Sequence, residues 1–450
     1  MRFRTVTAVR LAALTGFAIS AVGGEWVYDA HRIGLVPVPS RLFSVGLWAS
    51  IVIVAATITI LGGDWLPRHG LRALGLTASL TGYAAATALS VVVALSRYGF
   101  SGAFPDLQIL ALACAPLAVV ILISADSNAR LGLFFVLAIT VALSIYALIQ
   151  LGTMTTGIHN PWFVVGSENR WWDSRAVFGT FATTGDHTFA DAMVLLGASL
   201  LPWAIWGELS RRHSLMLGAL YAIVVALVVL SLARAAILSL VCAAVVTFLG
   251  RRELKAVIPI LAAAVVAVLL IPETRSALAV VYERGIIDTG AQYRFQIWSA
   301  LAAHARWDWL IGEGANSIGM VTRSIGIVIP HAGDQTLGPT TDNLYLRRAI
   351  EGGVLGIVTI LAVIVGSIWE STKPSATNEG LVWRHVVRAI AVALAIQSLT
   401  SDTIALPQLG AVFAYCLGVA GAGLIRENNR RAPDPVSESV DTAAVSDGQE

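Results

Sequence analysis

The chain has 450 residues, of which 56% are hydrophobic and only 13% charged; its mean hydropathy is +0.75 and its formal net charge +2. A soluble domain carries about 25% charged residues. This composition therefore excludes a cytosolic enzyme and a disordered regulator and marks a polytopic membrane protein.

Twelve apolar stretches are long enough, or nearly so, to cross a bilayer: 8–23, 42–62, 73–96, 107–124, 131–151, 188–207, 215–232, 235–249, 256–272, 344–369, 385–401 and 404–425. The expected fold is all-α, a membrane helical bundle of about 12 transmembrane helices spanning residues 1–425. The seventh and eighth stretches are nearly continuous and break at Ser231–Arg234. Arg2 and Arg4 followed by an apolar run imitate a signal peptide, but an uncleaved first helix is the reading adopted, since the rest of the chain is membrane-embedded. With the N-terminus inside, the cytoplasmic segments hold 17 Lys and Arg, counting Arg10 and Arg388. The outer segments before residue 273 hold six. The positive-inside rule then places both termini in the cytoplasm of a cell whose inner membrane the chain spans.

Two outer segments are long, 152–187 and 273–343, and the larger separates the ninth and tenth helices. Long ordered loops usually carry function. The polar tail 426–450, rich in Ser, Asp, Glu and Pro, is expected to be disordered. The two halves show no internal repeat of the kind secondary transporters have. Cys114, Cys242 and Cys416 each lie inside an apolar run. Three isolated thiols make neither a disulfide framework nor a zinc site, and read as packing residues.

Candidate chemistry gathers toward the outer face. Arg234 stands between two short apolar spans in SLARAAIL. Its guanidinium can bind phosphate oxygens in pairs, or it can snorkel to lipid headgroups. Arg294 lies in AQYRFQIWSALAAH, where a helix puts it on one face with Trp298. Trp298 can stack on Arg294 and leave its edge free for an anion; the alternative is a plain interfacial amphipathic helix. In TTDNLYLRRAIEGGVLG, Asp342 and Asn343 stand where the long loop meets the tenth helix. Asp342 is either the helix cap or a general base. Arg347 and Arg348 follow, suited to a diphosphate or to lipid phosphates, and Glu351 can pair with one of them. His331 is a second candidate base. Gly312 and Gly314 read as turn glycines. No zincin, paired-cysteine, phosphate-loop or nucleophile-elbow motif occurs. No metal, cofactor or nucleic-acid partner is implied.

The segment from Arg294 to Gly356 resembles the O-antigen ligase and O-antigen polymerase superfamily. The resemblance rests on Arg294 and Trp298, then Gly312 and Gly314, then Asp342-Asn343-Leu344-Tyr345-Leu346, and finally Glu351, Gly353 and Gly356. Ser231 and Arg234 are similar to an upstream Ser-Arg signature, and the segment 179–192 to another of the family's helix starts. The likeness covers about residues 130–425, with a ligase/polymerase-like core at about 188–370. It implies a metal-independent, inverting glycosyltransferase. A glycan would pass from a polyprenyl diphosphate to an acceptor hydroxyl on a glycan, lipid or protein, at the outer face. Arg234 and Arg294 would clamp the diphosphate, and Asp342 or His331 would take the hydroxyl proton. Trp298, Asn343, Tyr345, Arg347 and Arg348 would contact substrate. The ligases have histidine where this chain has Asp342, so the polymerase reading is preferred to the ligase reading. A membrane transporter and an envelope assembly protein are the alternatives from other classes.

Overall fold

The computed structural model describes residues 75–99, 104–124, 129–156, 186–231, 233–248, 289–304, 310–324, 343–402 and 407–431, with Leu11, Leu14 and Thr15. Among these residues the fold is all-helical. In chain order the helices are α1 (Gly75–Tyr98), α2 (Phe104–Ser124), α3 (Ala129–Thr156), α4 (Asp186–Trp206), α5 (Arg211–Leu230) and α6 (Arg234–Phe248). They are followed by α7 (Thr289–His304), α8 (Ile318–Ser324), α9 (Leu344–Thr372), α10 (Asn378–Gln397) and α11 (Pro407–Arg431). Six helices in the described part are long and apolar enough to cross a membrane, and two shorter ones are apolar throughout. The chain is an integral membrane protein. The expected spans 73–96, 107–124, 131–151, 188–207, 215–232, 235–249, 344–369, 385–401 and 404–425 each coincide with a helix. The expected spans 42–62 and 256–272, and all but three helical positions of 8–23, lie outside the described residues. Helix α11 continues to Arg431, six residues into the segment 426–450 expected to be a disordered tail; the rest of that segment lies outside the described residues.

Exposure shows what surrounds the bundle. Along α9 the exposed side chains are Val354, Val358, Leu361, Val365 and Trp369, a stripe at helical spacing. The opposite face buries Ile360, Val363, Ile364 and Ser367. Phe134, Val141, Ile145 and Leu148 of α3 and Leu238, Val241 and Val245 of α6 are exposed in the same way. Apolar surface on this scale needs hydrocarbon around it. Inside, α4, α10 and α11 form the centre. Helix α11 packs against α2, α4 and α10, α10 also against α6 and α9, and α1 lies along α9. Small residues let these helices approach closely: a Cβ added to Gly366 of α9 would come 2.5 Å from the Ser79 hydroxyl of α1.

Each end of the bundle has its own polar lock. At one end Glu427 of α11 accepts the backbone N–H groups of Ala376 and Thr377, at 3.0 and 3.2 Å, which holds the short link between α9 and α10. Nearby, the buried Glu370 accepts from Lys373 at 2.8 Å and from the first N–H of α1, Gly75, at 3.3 Å. The other end carries the N-terminus of α9.

Ten residues past the cap Asn343, between two and three turns into α9, the helix is broken. Gly353 has φ 60° and ψ −149°, a conformation essentially confined to glycine. The carbonyls of Ile350 and Glu351 accept the N–H groups of Glu313 and Gly314, at 2.8 and 3.0 Å, and the Leu355 N–H donates to the Leu310 carbonyl at 3.3 Å. The turn making these bonds has Gly312 at φ +70° and Gly314 at φ +106°. A Cβ on Gly312 would lie 2.5 Å from the Gly353 nitrogen, so the close approach needs glycine as much as the dihedral does. Gly314 packs as tightly on Ala94 of α1.

Gly353→Ala and Gly312→Ala are each expected to destabilise by about 1–3 kcal/mol through backbone strain. Gly352→Ala, where an added Cβ meets nothing within 4 Å, is the control and should melt like the parent. Thermal unfolding in detergent compares the three.

Candidate functional site

The N-terminal end of α9 is assembled from three parts of the chain. Asn343 caps the helix: its backbone is extended and its side-chain oxygen accepts the Leu346 N–H at 3.0 Å. The cap is therefore Asn343, one residue later than the cap reading of Asp342. Asp342 and His331 lie outside the described residues. The Asn343 N–H donates to Asp402 Oδ1 at 3.2 Å, its side-chain amide to the Leu399 carbonyl at 3.3 Å, and the Leu344 N–H to the Ser398 carbonyl at 2.9 Å. The Tyr345 hydroxyl donates to the Ala395 carbonyl at 2.9 Å. The start of α9 is thus bound to the end of α10 along its whole first turn.

Two arginines and two carboxylates lie beneath this seam. Arg347 donates through Nε to Glu351 Oε1 at 2.9 Å and through Nη1 to Asp402 Oδ2 at 3.1 Å. Arg348 Nη1 stands 3.7 Å from Glu351 Oε2, and its guanidinium carbon lies 5.0 Å from the centre of the Tyr83 ring on α1. Glu351 is fully buried, and Asp402 and Arg348 nearly so. Two positive and two negative groups balance, which is the condition for burying them at all. The Ser90 hydroxyl of α1 donates to the Glu351 carbonyl at 2.6 Å, and the Ala315 N–H to the Ser90 carbonyl at 3.0 Å. The charged cluster, the break in α9 and the Gly312–Gly314 turn therefore form one connected unit.

The long loop's own helices dock on the same end. Ile297 and Leu301 of α7 pack with Ile318 and Val321 of α8 and Ile350 of α9, and Trp298 and Leu346 close the cluster. Trp298 makes an edge-on contact with Phe295, ring centres 5.4 Å apart. Arg294 precedes Trp298 by one turn of α7; its side chain lies outside the described residues. Arg97, at the end of α1, pairs with Glu313 of the turn. Arg234 is the first residue of α6, after the expected break: α5 ends at Leu230, and Ser231 bonds back to the Val228 carbonyl at 2.7 Å. Trp206 at the end of α4 donates to the Thr247 carbonyl near the end of α6, and Glu208 just beyond it meets Asn378 at the start of α10, so α6 ends beside the start of α10 and begins toward the end of the bundle where α10 finishes. The Arg234 side chain is likewise outside the described residues.

The sequence-predicted residues thus divide. Asn343, Tyr345, Arg347 and Arg348 are brought together, and each is engaged by the protein itself. Trp298 joins them through the loop. Glu351 pairs with both arginines rather than with one. Asp402 was not read from the sequence at all, although a lone acid closing the apolar run before TIALP is the kind of signal that marks a polar site in a membrane chain.

Helices that cross a membrane, with a charge-balanced polar cluster and a docked loop helix at one end, define an integral membrane protein. A family model described as O-antigen ligase matches residues 217–361, from within α5 to within α9. This bears out the resemblance to the O-antigen ligase and polymerase superfamily, and the matched stretch contains Arg234, Arg294, Gly312, Gly314, Asp342 and Asn343. No curated protein matches the sequence.

Glu351→Gln and Asp402→Asn each strip a buried arginine of a counter-charge, and breaking a buried pair from one side costs about 3–5 kcal/mol. In a double-mutant cycle with Arg347→Met, thermal unfolding should show the paired removal costing clearly less than the two single removals together. Additive losses would mean that the pairs are not coupled.

Proposed function

We propose that the protein is a membrane glycosyltransferase acting at the outer face, moving a glycan from a polyprenyl diphosphate carrier to an acceptor hydroxyl, with chain polymerisation preferred to ligation. The observation that carries the reading is that α7, which bears Arg294 and Trp298, is docked on the first turns of α9 inside the family-matched stretch. In the reaction the acceptor oxygen attacks the anomeric carbon, its bond to the diphosphate breaks, and the hydroxyl proton passes to Asp342 or, failing that, to His331. Attack opposite the leaving group inverts the anomeric centre.

The leaving diphosphate gathers negative charge and needs prearranged cations. Arg347 and Arg348 are already neutralised by Glu351 and Asp402. The clamp is therefore assigned to Arg234 and Arg294, which makes metal assistance unnecessary. Arg347, Arg348, Asn343 and Tyr345 line the same end and hold its shape, while Trp298 supplies an aromatic surface for a sugar. Asp342 is tethered next to Asn343, whose backbone Asp402 holds. The donor's hydrocarbon tail needs access from the bilayer, which accounts for a glycosyltransferase embedded in it.

Deletion of the gene, with surface-glycan length and attachment measured together, tests the proposal. Single repeat units on the acceptor mean a polymerase, and long chains stranded on the carrier mean a ligase. Arg294→Ala and Asp342→Ala should fail to restore product although the protein accumulates. An unchanged glycan after deletion overturns the proposal and returns a transporter to first place. Full activity of Asp342→Ala moves the base to His331.

A further inference from the structure

The backbone bonds between the turn and α9 also fix the height of the turn. Leu310 is bonded to Leu355, and Glu313 and Gly314 to Ile350 and Glu351. At 1.5 Å per residue, Leu355 lies about 16 Å along α9 from Leu344. The 29 residues of α9 reach about 43 Å, against a hydrocarbon thickness of about 30 Å. With the helix centred, the Leu310 level falls about 10 Å inside the hydrocarbon boundary by the same geometry.

Side chains at that level agree with the depth. Val354 and Val358, 49% and 53% exposed, are the first members of the lipid-facing stripe on α9. Leu310 and Ile311, beside them, are 60% and 37% exposed. Non-helical backbone is tolerated in hydrocarbon only where its polar groups are satisfied by protein. Four of the turn's backbone groups meet it: the N–H groups of Glu313, Gly314 and Ala315 donate to the carbonyls of Ile350, Glu351 and Ser90, and the Leu310 carbonyl accepts from the Leu355 N–H. A loop tip in water would have no need of such pairing, nor of two adjacent large apolar side chains turned outward.

We propose that the turn beginning at Leu310 is a re-entrant segment of the membrane domain, with Leu310 and Ile311 resting against the acyl chains of the leaflet at the Arg347 end. The surface is continuous with the lipid-facing stripe of α9, and its occupant is bilayer lipid. The segment would anchor the long loop, and with it α7, at a fixed height over the site. The proposal rests on the membrane fold and not on the reaction proposed above, so either can fail without the other.

The test uses the full chain in lipid nanodiscs, with Cys114, Cys242 and Cys416 replaced by alanine and a nitroxide placed at Leu310→Cys or Ile311→Cys. Val358→Cys is the lipid reference, and Arg212→Cys, exposed at the start of α5, is the water reference. The expected result is oxygen access like that at 358, with access to a polar nickel chelate several-fold below that at 212. Chelate access at both positions equal to that at 212 overturns the proposal. A second measurement needs no label: Leu310→Lys should lower the melting temperature in nanodiscs while Leu310→Phe leaves it unchanged. Equal melting of the two also overturns it.

Discussion

The structure depends on an exchange of backbone hydrogen bonds. Helix α9 gives up its own ladder at Gly353, and the carbonyls released at Ile350 and Glu351 are taken by the turn at Glu313 and Gly314. In water a broken helix can leave such groups to solvent. In a bilayer they must be met by protein, and the turn is what meets them. The two irregularities are consequently one feature: without the turn the break is too costly, and without the break the turn has no partners. Glycine is required on both sides, at Gly353 for its dihedrals and at Gly312 for the contact distance.

Charge is organised around the same place. Arg347, Arg348, Glu351 and Asp402 come from two helix ends and together are neutral, which is how four ionised groups are accommodated in a membrane protein's interior. The cluster ties the start of α9 to the end of α10 and, through the Glu351 carbonyl, to Ser90 of α1. What it provides is position. Groups already paired in this way are poor ligands for a further anion, whereas they hold rigid the helix end next to which Asp342 is tethered.

Loop and bundle are joined by ordinary packing as well. Ile297 and Leu301 use one face of α7 to reach Ile350, leaving Phe295 exposed. The loop helix is fastened in this way to the start of α9, and the turn at Gly312 and Gly314 is bonded to the same helix.

Much was legible in the residues. Apolar length identified the spans that coincide with helices, because a helix crossing hydrocarbon must satisfy its backbone internally and be apolar over about 20 residues. The interruption at Ser231–Arg234 and the turn glycines were visible for the same local reason, that chain breaks have a composition of their own. Asp402 and the Gly353 break were not legible. Asp402 meets Arg347 across 55 residues of sequence, and Gly353 stands in an apolar run that reads as uninterrupted helix. Asn343 rather than Asp342 is the cap, and Asp402 and Leu399 hold its N–H and amide from the turn that follows α10. The sequence by itself determined that the chain lives in a membrane and where the apolar helices of the described part lie, both of which follow from local hydrophobicity. Only the tertiary structure decided which charges neutralise one another and where a helix opens, since both depend on partners that the fold brings from distant parts of the chain.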